Sequence, residues 1–387
     1  MKVLVAGATR SYGMAAIRSL AKNGCEVVGA DERKLPFSLH SRYTKPYYIY
    51  PGAQRDGFLD AIIRIIRKEK PDVMLPMVST KLVSLLSQHR KEIEKYTRLL
   101  VPNYESLSVA EDNRMTIEEC EKIGIACPRM LTEKEAIAEL NKNADRNDPV
   151  RVVVKPRQEI GGARGLSIVK DAESLKKAKN EDERIYGNTV IEEYIPGNTE
   201  NMRTVNLMFD KKNRLTAYFT MKKLRQLPST GGITALSIST NEWGLVDMVL
   251  PFFEKWRWQG PAEVELKIDS RDNRPKLIEI NPRFWGYVGF PIRCGVNFPL
   301  IACNLAQGIN VQHEGYPKYA VDIKYIDPSA YLKVITPDIM YSKNRPRSIF
   351  RVLAELRGKK VGNNVDLSDF KVIIAKILLD LRSLVIS

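Results

Sequence analysis

The chain has 387 residues, 44% of them hydrophobic, which is ample for two or three packed lobes. No run of about 18 consecutive apolar residues offers a membrane span, and five cysteines without C-x-x-C spacing beside three histidines argue against a zinc site or a disulfide framework. The formal charge of +15 favours anionic partners without choosing among them.

In chain order, the opening MKVLVAGATR is too short an apolar run for a signal peptide, so the expected location is the cytoplasm. Its core, Lys2–Ala6, reads as a buried strand. Glu26–Asp31 and the segments 72–77 and 98–102 read as three more, with a helix beginning near Tyr12. Phe58, Ile62, Ile65 and Ile66, then Leu82, Leu85 and Leu86, recur at helical spacing, so strands and helices alternate in a doubly wound layer. Gly7 to Gly13 with Asp31 invites a dinucleotide reading, but the spacing is not G-x-G-x-x-G and Arg10 replaces a glycine. A tight strand-to-helix turn is the better reading. The one Y-x-x-x-K match, Tyr218 to Lys222, lies in a strand-like segment, which leaves an NAD(P)-dependent oxidoreductase a remote alternative.

A helix over about 106–124 ends at Gly-Ile-Ala-Cys-Pro, a boundary signal. Residues 141–149 read as a polar loop before Val152-Val153-Val154-Lys155-Pro156. There a lysine ends an apolar β-branched run, and Gly161, Gly162 and Gly165 follow in a turn whose backbone N–H groups can approach an anionic phosphate. Arg164 adds a cation to this turn, either for an extra phosphate contact or as surface charge. Asp171 caps a helix to about Lys179, and residues 190–197 run from strand into turn. Further on, Glu263 and Glu265 alternate with apolar residues, and a hairpin over Asp272-Asn273-Arg274 sets that strand beside Glu279-Ile280-Asn281-Pro282-Arg283. Glu279 and Asn281 project from one strand face. Two neighbouring acidic faces repel unless a cation intervenes, so Glu265, Glu279 and Asn281 are read as ligands of Mg²⁺, a hard cation that takes oxygen donors. Trp285, Tyr287 and Phe290 read chiefly as core, with an acceptor pocket as the alternative.

These pieces, in this order, resemble the ATP-grasp superfamily, and in layout one synthetase half of a carbamoyl phosphate synthase large subunit. The resemblance covers about residues 1 to 310 and rests on VVVKP with its glycine loop, EEYIPG, the TGG turn at Thr230, and the pair GPAEVELKID and KLIEINPRFWG. It implies an α/β fold, α+β in the catalytic lobes. The expected parts are a Rossmann-like parallel domain over 1–102, an ATP-grasp small lobe over 103–188, a catalytic lobe over 189–325, and a basic, helical extension over 326–387. It further implies that Lys155 holds phosphates, that the backbone around Glu192, Glu193 and Ile195 meets adenine, and that Glu200, or Asn198 in its place, binds ribose. Arg114 stands where the family usually has lysine. The cofactors would be ATP and Mg²⁺, two ions with Mn²⁺ as a substitute, and Arg283, Lys222 and Arg225 would stabilise the transferring phosphoryl group. The implied activity joins a small-molecule carboxylate to an amine or ammonia through an acyl phosphate. Nucleotide binding without turnover and carbamoyl-phosphate-synthase-like phosphotransfer are alternatives; a complete carbamoyl phosphate synthase needs two such halves, and one is present.

The tail is basic around Lys343 to Arg347, and Phe370, Ile373, Ile374, Ile377, Leu378 and Leu381 form an apolar stripe at helical spacing. Packing on the body or a homodimer seam is the first reading, with contact to an anionic membrane as the alternative. Nucleic acid is an unlikely partner, because charge is the whole of that argument.

Overall fold

The computed structural model describes residues 1–8, 11–32, 41–44, 46–53, 55–77, 79–141, 150–158, 160, 164–309, 311, 318–342 and 345–362. Three sheets carry the described chain. The first holds β1 (Lys2–Ala6), β2 (Glu26–Asp31), β3 (Tyr47–Ile49), β4 (Val73–Pro76) and β5 (Arg98–Leu99), all parallel, in the order β3-β2-β1-β4-β5. Alternation along β1 builds both faces. Val3 and Val5 pack with Met14, Ile17 and Leu20 of the helix Ser11–Lys22. Leu4 and Ala6 pack on the other side with Phe58, Ile62 and Ile66 of the helix Phe58–Glu69.

The helix expected over 106–124 is two helices, Tyr104–Glu111 and Asn113–Lys122. Asp112 breaks it. Its carboxylate accepts from the N–H groups of Arg114 and Met115, capping the second helix, and also takes Arg157 Nε at 2.7 Å. The second sheet, in the order β6-β9-β7-β8, contains β6 (Met130–Leu131), β7 (Val152–Pro156), β8 (Ser167–Val169) and β9 (Thr189–Glu193). It is backed by the helix Ala172–Tyr186, whose Ser174 N–H is capped by Asp171. The polar loop expected over 141–149 falls, apart from Asn141, outside the described residues.

The third sheet runs β14-β13-β10-β11-β12-β15-β16, from β10 (Met202–Phe209), β11 (Leu215–Leu227), β12 (Ile233–Thr240), β13 (Gly260–Ile268), β14 (Pro275–Asn281), β15 (Lys324–Ile326) and β16 (Lys360–Val361). β13 and β14 form the expected hairpin, with Asn273 in the left-handed region at φ 59°. Trp285, Tyr287 and Phe290 are buried against Met208, Phe219 and the helix Ser11–Lys22, so one core joins the first sheet to the third. Residues after 326 do not stand apart as an appendage. The helices Pro328–Met340 and Arg345–Glu355 lead into β16, which pairs in parallel with β15 and closes the edge of the third sheet. The apolar stripe from Phe370 onward lies outside the described residues, as do Lys343 and Asn344.

Candidate functional site

A cavity of about 1370 Å³ opens between the three sheets. Strand alternation explains what each sheet contributes. Val152 and Val154 point into the core of the second sheet, which leaves Val153 and Lys155 on the cavity side. Lys155 is 5% exposed. Its ammonium sits 2.9 Å from Glu192 Oε1 and donates at 3.3 Å to the Ile278 carbonyl of β14, so this side chain bridges the second and third sheets. Burial raises the Glu192 carboxyl above its ordinary value, against the pull of Lys155.

Across the cavity, Glu265 faces Glu279 and Glu263 faces Asn281 in direct register between β13 and β14. Each carboxylate has a defined partner. Both oxygens of Glu265 accept from Lys223 Nζ, at 2.8 and 2.9 Å, and Lys223 is only 1% exposed. Glu279 Oε1 accepts from Asn281 Nδ2 at 2.9 Å. Glu263 accepts from the Tyr287 hydroxyl at 2.6 Å, and burial together with the neighbouring Glu265 charge pushes it up to about 7. Arg283 donates to Asn281 Oδ1 at 2.6 Å and to Thr80 Oγ1 at 3.0 Å, which ties the acidic strands to the first sheet. That sheet presents the carboxyl ends of its strands to the cavity, through Gly7, Glu32, Tyr50, Met77 and Thr80, where open parallel sheets bind ligands.

The expected site residues divide. Lys155, Glu192, Glu193, Ile195, Glu265, Glu279, Asn281 and Arg283 line one cavity. Gly165, at φ +71°, turns the chain back so closely that a Cβ would lie 2.7 Å from Pro156 Cγ, and its neighbours Arg164 and Leu166 line the cavity. Gly161 and Gly162 lie outside the described residues. Four residues expected at the site do not line the cavity. Arg114 is exposed on its helix and pairs with Glu118 at 2.8 Å. Lys222 and Glu200 pair with each other at 2.9 Å, whereas Asn198 does line the cavity. Arg225 is held by Asp338 at 2.6 Å and Glu355 at 2.7 Å. The cation that reaches the acidic strands from β11 is instead Lys223, one residue along and therefore on the other strand face. Lys267 and Arg151, which no sequence signal marks, also line the cavity and lie over the Tyr194 ring at 4.8 and 5.5 Å.

The donor set suits a hard divalent ion. Two carboxylates and an amide oxygen on adjoining strands supply oxygen ligands only; among the described residues no group of three His, Cys, Asp or Glu is arranged to hold a metal ion by itself.

Residues 189–328 match the family model described as ATP-grasp in the biosynthetic pathway with Ter operon. The chain is 24% identical over 269 residues to a D-aspartate ligase of Enterococcus faecium, covering 63% of this chain and 62% of that one. It is 27% identical over 157 residues to the carbamoyl phosphate synthase large chain of Gemmatimonas aurantiaca, covering 40% of this chain and 14% of that one. It thus spans less than two-thirds of the length of these relatives. Among solved structures, the biotin carboxylase–β,γ-ATP complex of Campylobacter jejuni superposes with a TM-score of 0.64 at 16% identity, over 82% of this chain and 73% of that one. With Lys155 and the acidic β13–β14 pair facing one cleft between the second and third sheets, the chain has the ATP-grasp fold, and its residues 189–328 match an ATP-grasp family.

Proposed function

We propose that the protein is an ATP-dependent ligase that activates a carboxylate by moving the γ-phosphoryl group of ATP onto it, after which an amine or ammonia displaces phosphate and leaves ADP, phosphate and an amide. One observation carries this reading: Lys155 of the second sheet reaches the backbone of β14 beside Glu279, so a cation suited to phosphate and a carboxylate suited to a metal share one cleft. The similarity to a D-aspartate ligase supports the carbon–nitrogen outcome.

In this reading Lys155 and the turn around Gly165 hold phosphates, the backbone of Glu193 to Ile195 meets adenine, and Asn198 approaches ribose. Glu265, Glu279 and Asn281 would hold Mg²⁺, or Mn²⁺ with the same donors, and two ions are the expected complement. When bound, the metal supplies neutralisation of phosphate charge. Arg283 orients the carboxylate substrate and faces the charge that develops during transfer, where a positioned cation in a closed cleft has its largest effect. Lys223 fixes the orientation of Glu265. The first sheet's end of the cavity, at Glu32, Tyr50 and Thr80, receives the acceptor.

The test is a screen of small carboxylates against amino acids, amines and ammonia for ADP release with MgATP. A pair-dependent release of ADP and phosphate, abolished by chelating the metal, is the expected result. Equilibrium ATP binding with no turnover on any pair would point to a nucleotide-binding protein, and phosphoryl transfer without amide formation to a carbamoyl-phosphate-synthase-like reaction. Among the described residues no helix is long and apolar enough to cross a membrane.

A further inference from the structure

The helices Pro328–Met340 and Arg345–Glu355 lie side by side, linked by Asp338 to Arg351 at 3.1 Å and by the Tyr331 hydroxyl to Glu355 at 2.9 Å. Their inner faces are thin. Tyr331, Ile335 and Val352 are the buried contributions to a small core against Leu236 of β12. Their outer faces are unusually apolar. Six of the sixteen large hydrophobic side chains exposed among the described residues fall between positions 332 and 353: Leu332, Met340, Tyr341, Ile349, Phe350 and Leu353. Tyr341 is 83% exposed and Phe350 65%. Ile349, Phe350 and Leu353 share one arc of the second helix, away from the buried Ser348 and Val352.

The exposed charge of this unit has one sign. Lys333, Arg345, Arg347, Arg357, Lys359 and Lys360 are all exposed within the same unit. Its two acids from 328 to 362, Asp338 and Glu355, are engaged by Arg225 and Arg351. Exposed cations interspersed with projecting aromatic and aliphatic side chains are the pattern of a surface that lies in a headgroup layer, its apolar tips below the phosphates and its cations among them. We propose that this face docks the protein onto a phospholipid bilayer carrying anionic headgroups, as a peripheral contact and not a span.

The experiment is co-sedimentation of the full chain with phosphatidylglycerol–phosphatidylcholine vesicles and with vesicles of phosphatidylcholine alone. The protein is expected to pellet with the anionic vesicles and to stay in solution with the neutral ones, and to be released when salt rises from about 0.1 M to about 0.5 M, where the screening length falls about twofold. The double variant Phe350→Asp with Leu353→Asp changes side chains already in solvent, and its thermal melt is expected to match that of the parent. Its pelleted fraction is expected to fall at least tenfold. No pelleting with anionic vesicles, equal pelleting with neutral ones, or undiminished pelleting of the double variant would each overturn the assignment. So would sedimentation velocity showing a dimer that the double variant converts to monomer, since a second copy would then occupy this face.

Discussion

Lys222 and Lys223 are consecutive lysines with opposite surroundings. Lys222 sits on the outer strand face with a half-exposed glutamate, whereas Lys223 is sealed against both oxygens of Glu265. Removing Lys223 leaves a carboxylate without its counter-ion beside two others, so Lys223→Ala is expected to cost about 3–5 kcal/mol, and Lys222→Ala no more than about 1 kcal/mol. Urea denaturation of both variants checks the contrast. Glu279→Gln keeps shape and hydrogen bonding while removing one of the charges proposed to hold the metal. It is expected to lower ADP release about 100-fold or more with a melting temperature close to that of the parent, read by coupled assay and calorimetry. The choice between the two lysines could not be made from sequence. Period-two alternation says that they face opposite ways, but not which way, because that depends on the register of β11 against β10.

The β13–β14 hairpin shows the opposite case at the level of elements. Its turn residues and its acid-apolar alternation were readable, and together they fix the face-to-face placement of Glu265 and Glu279. What holds its far end was not readable. Asp269 accepts from the Arg271 backbone and guanidinium and lies 3.3 Å from Lys276, and Arg271 extends the chain of contacts to Glu193 of β9. Arg271 beside it holds the Asp269 carboxyl well below the usual carboxylate range. A depressed carboxylate stabilises the fold above its unfolded value and loses that stabilisation as pH falls toward its folded value. Urea midpoints are therefore expected to drop between about pH 4 and pH 2 in the parent, and to drop less in Asp269→Asn, which starts lower at pH 7. Equal acid sensitivity in both would remove Asp269 from this role. The broken helix at Asp112 was missed for a related reason. Aspartate signals a cap only once its partners are known, and Arg157 arrives from 45 residues away.

On the scale of the whole molecule, the alternation of apolar strands and helices in the first hundred residues was enough to read the parallel layer, because each signal there is local. The placement of the tail was not. Arg225 looked like a site cation, yet its partners Asp338 and Glu355 lie 113 and 130 residues away. It is a clamp between β11 and the two C-terminal helices. Arg225→Met is expected to speed amide hydrogen exchange in 328–355 while leaving β1, β2 and β4 protected, a regional loosening that exchange mass spectrometry resolves. Exchange rising equally throughout would contradict the clamp.

Arg283 spans the longest of these separations. Its guanidinium is shared between Asn281 on the acidic strands and Thr80 at the mouth of the parallel layer, 203 residues earlier. In the proposed reading, a carboxylate that engages this guanidinium competes with those holds, so its binding is coupled to the anchoring of the parallel layer at Thr80. Reciprocity then requires that whatever loosens that layer also changes, by the same factor, how firmly the carboxylate is retained.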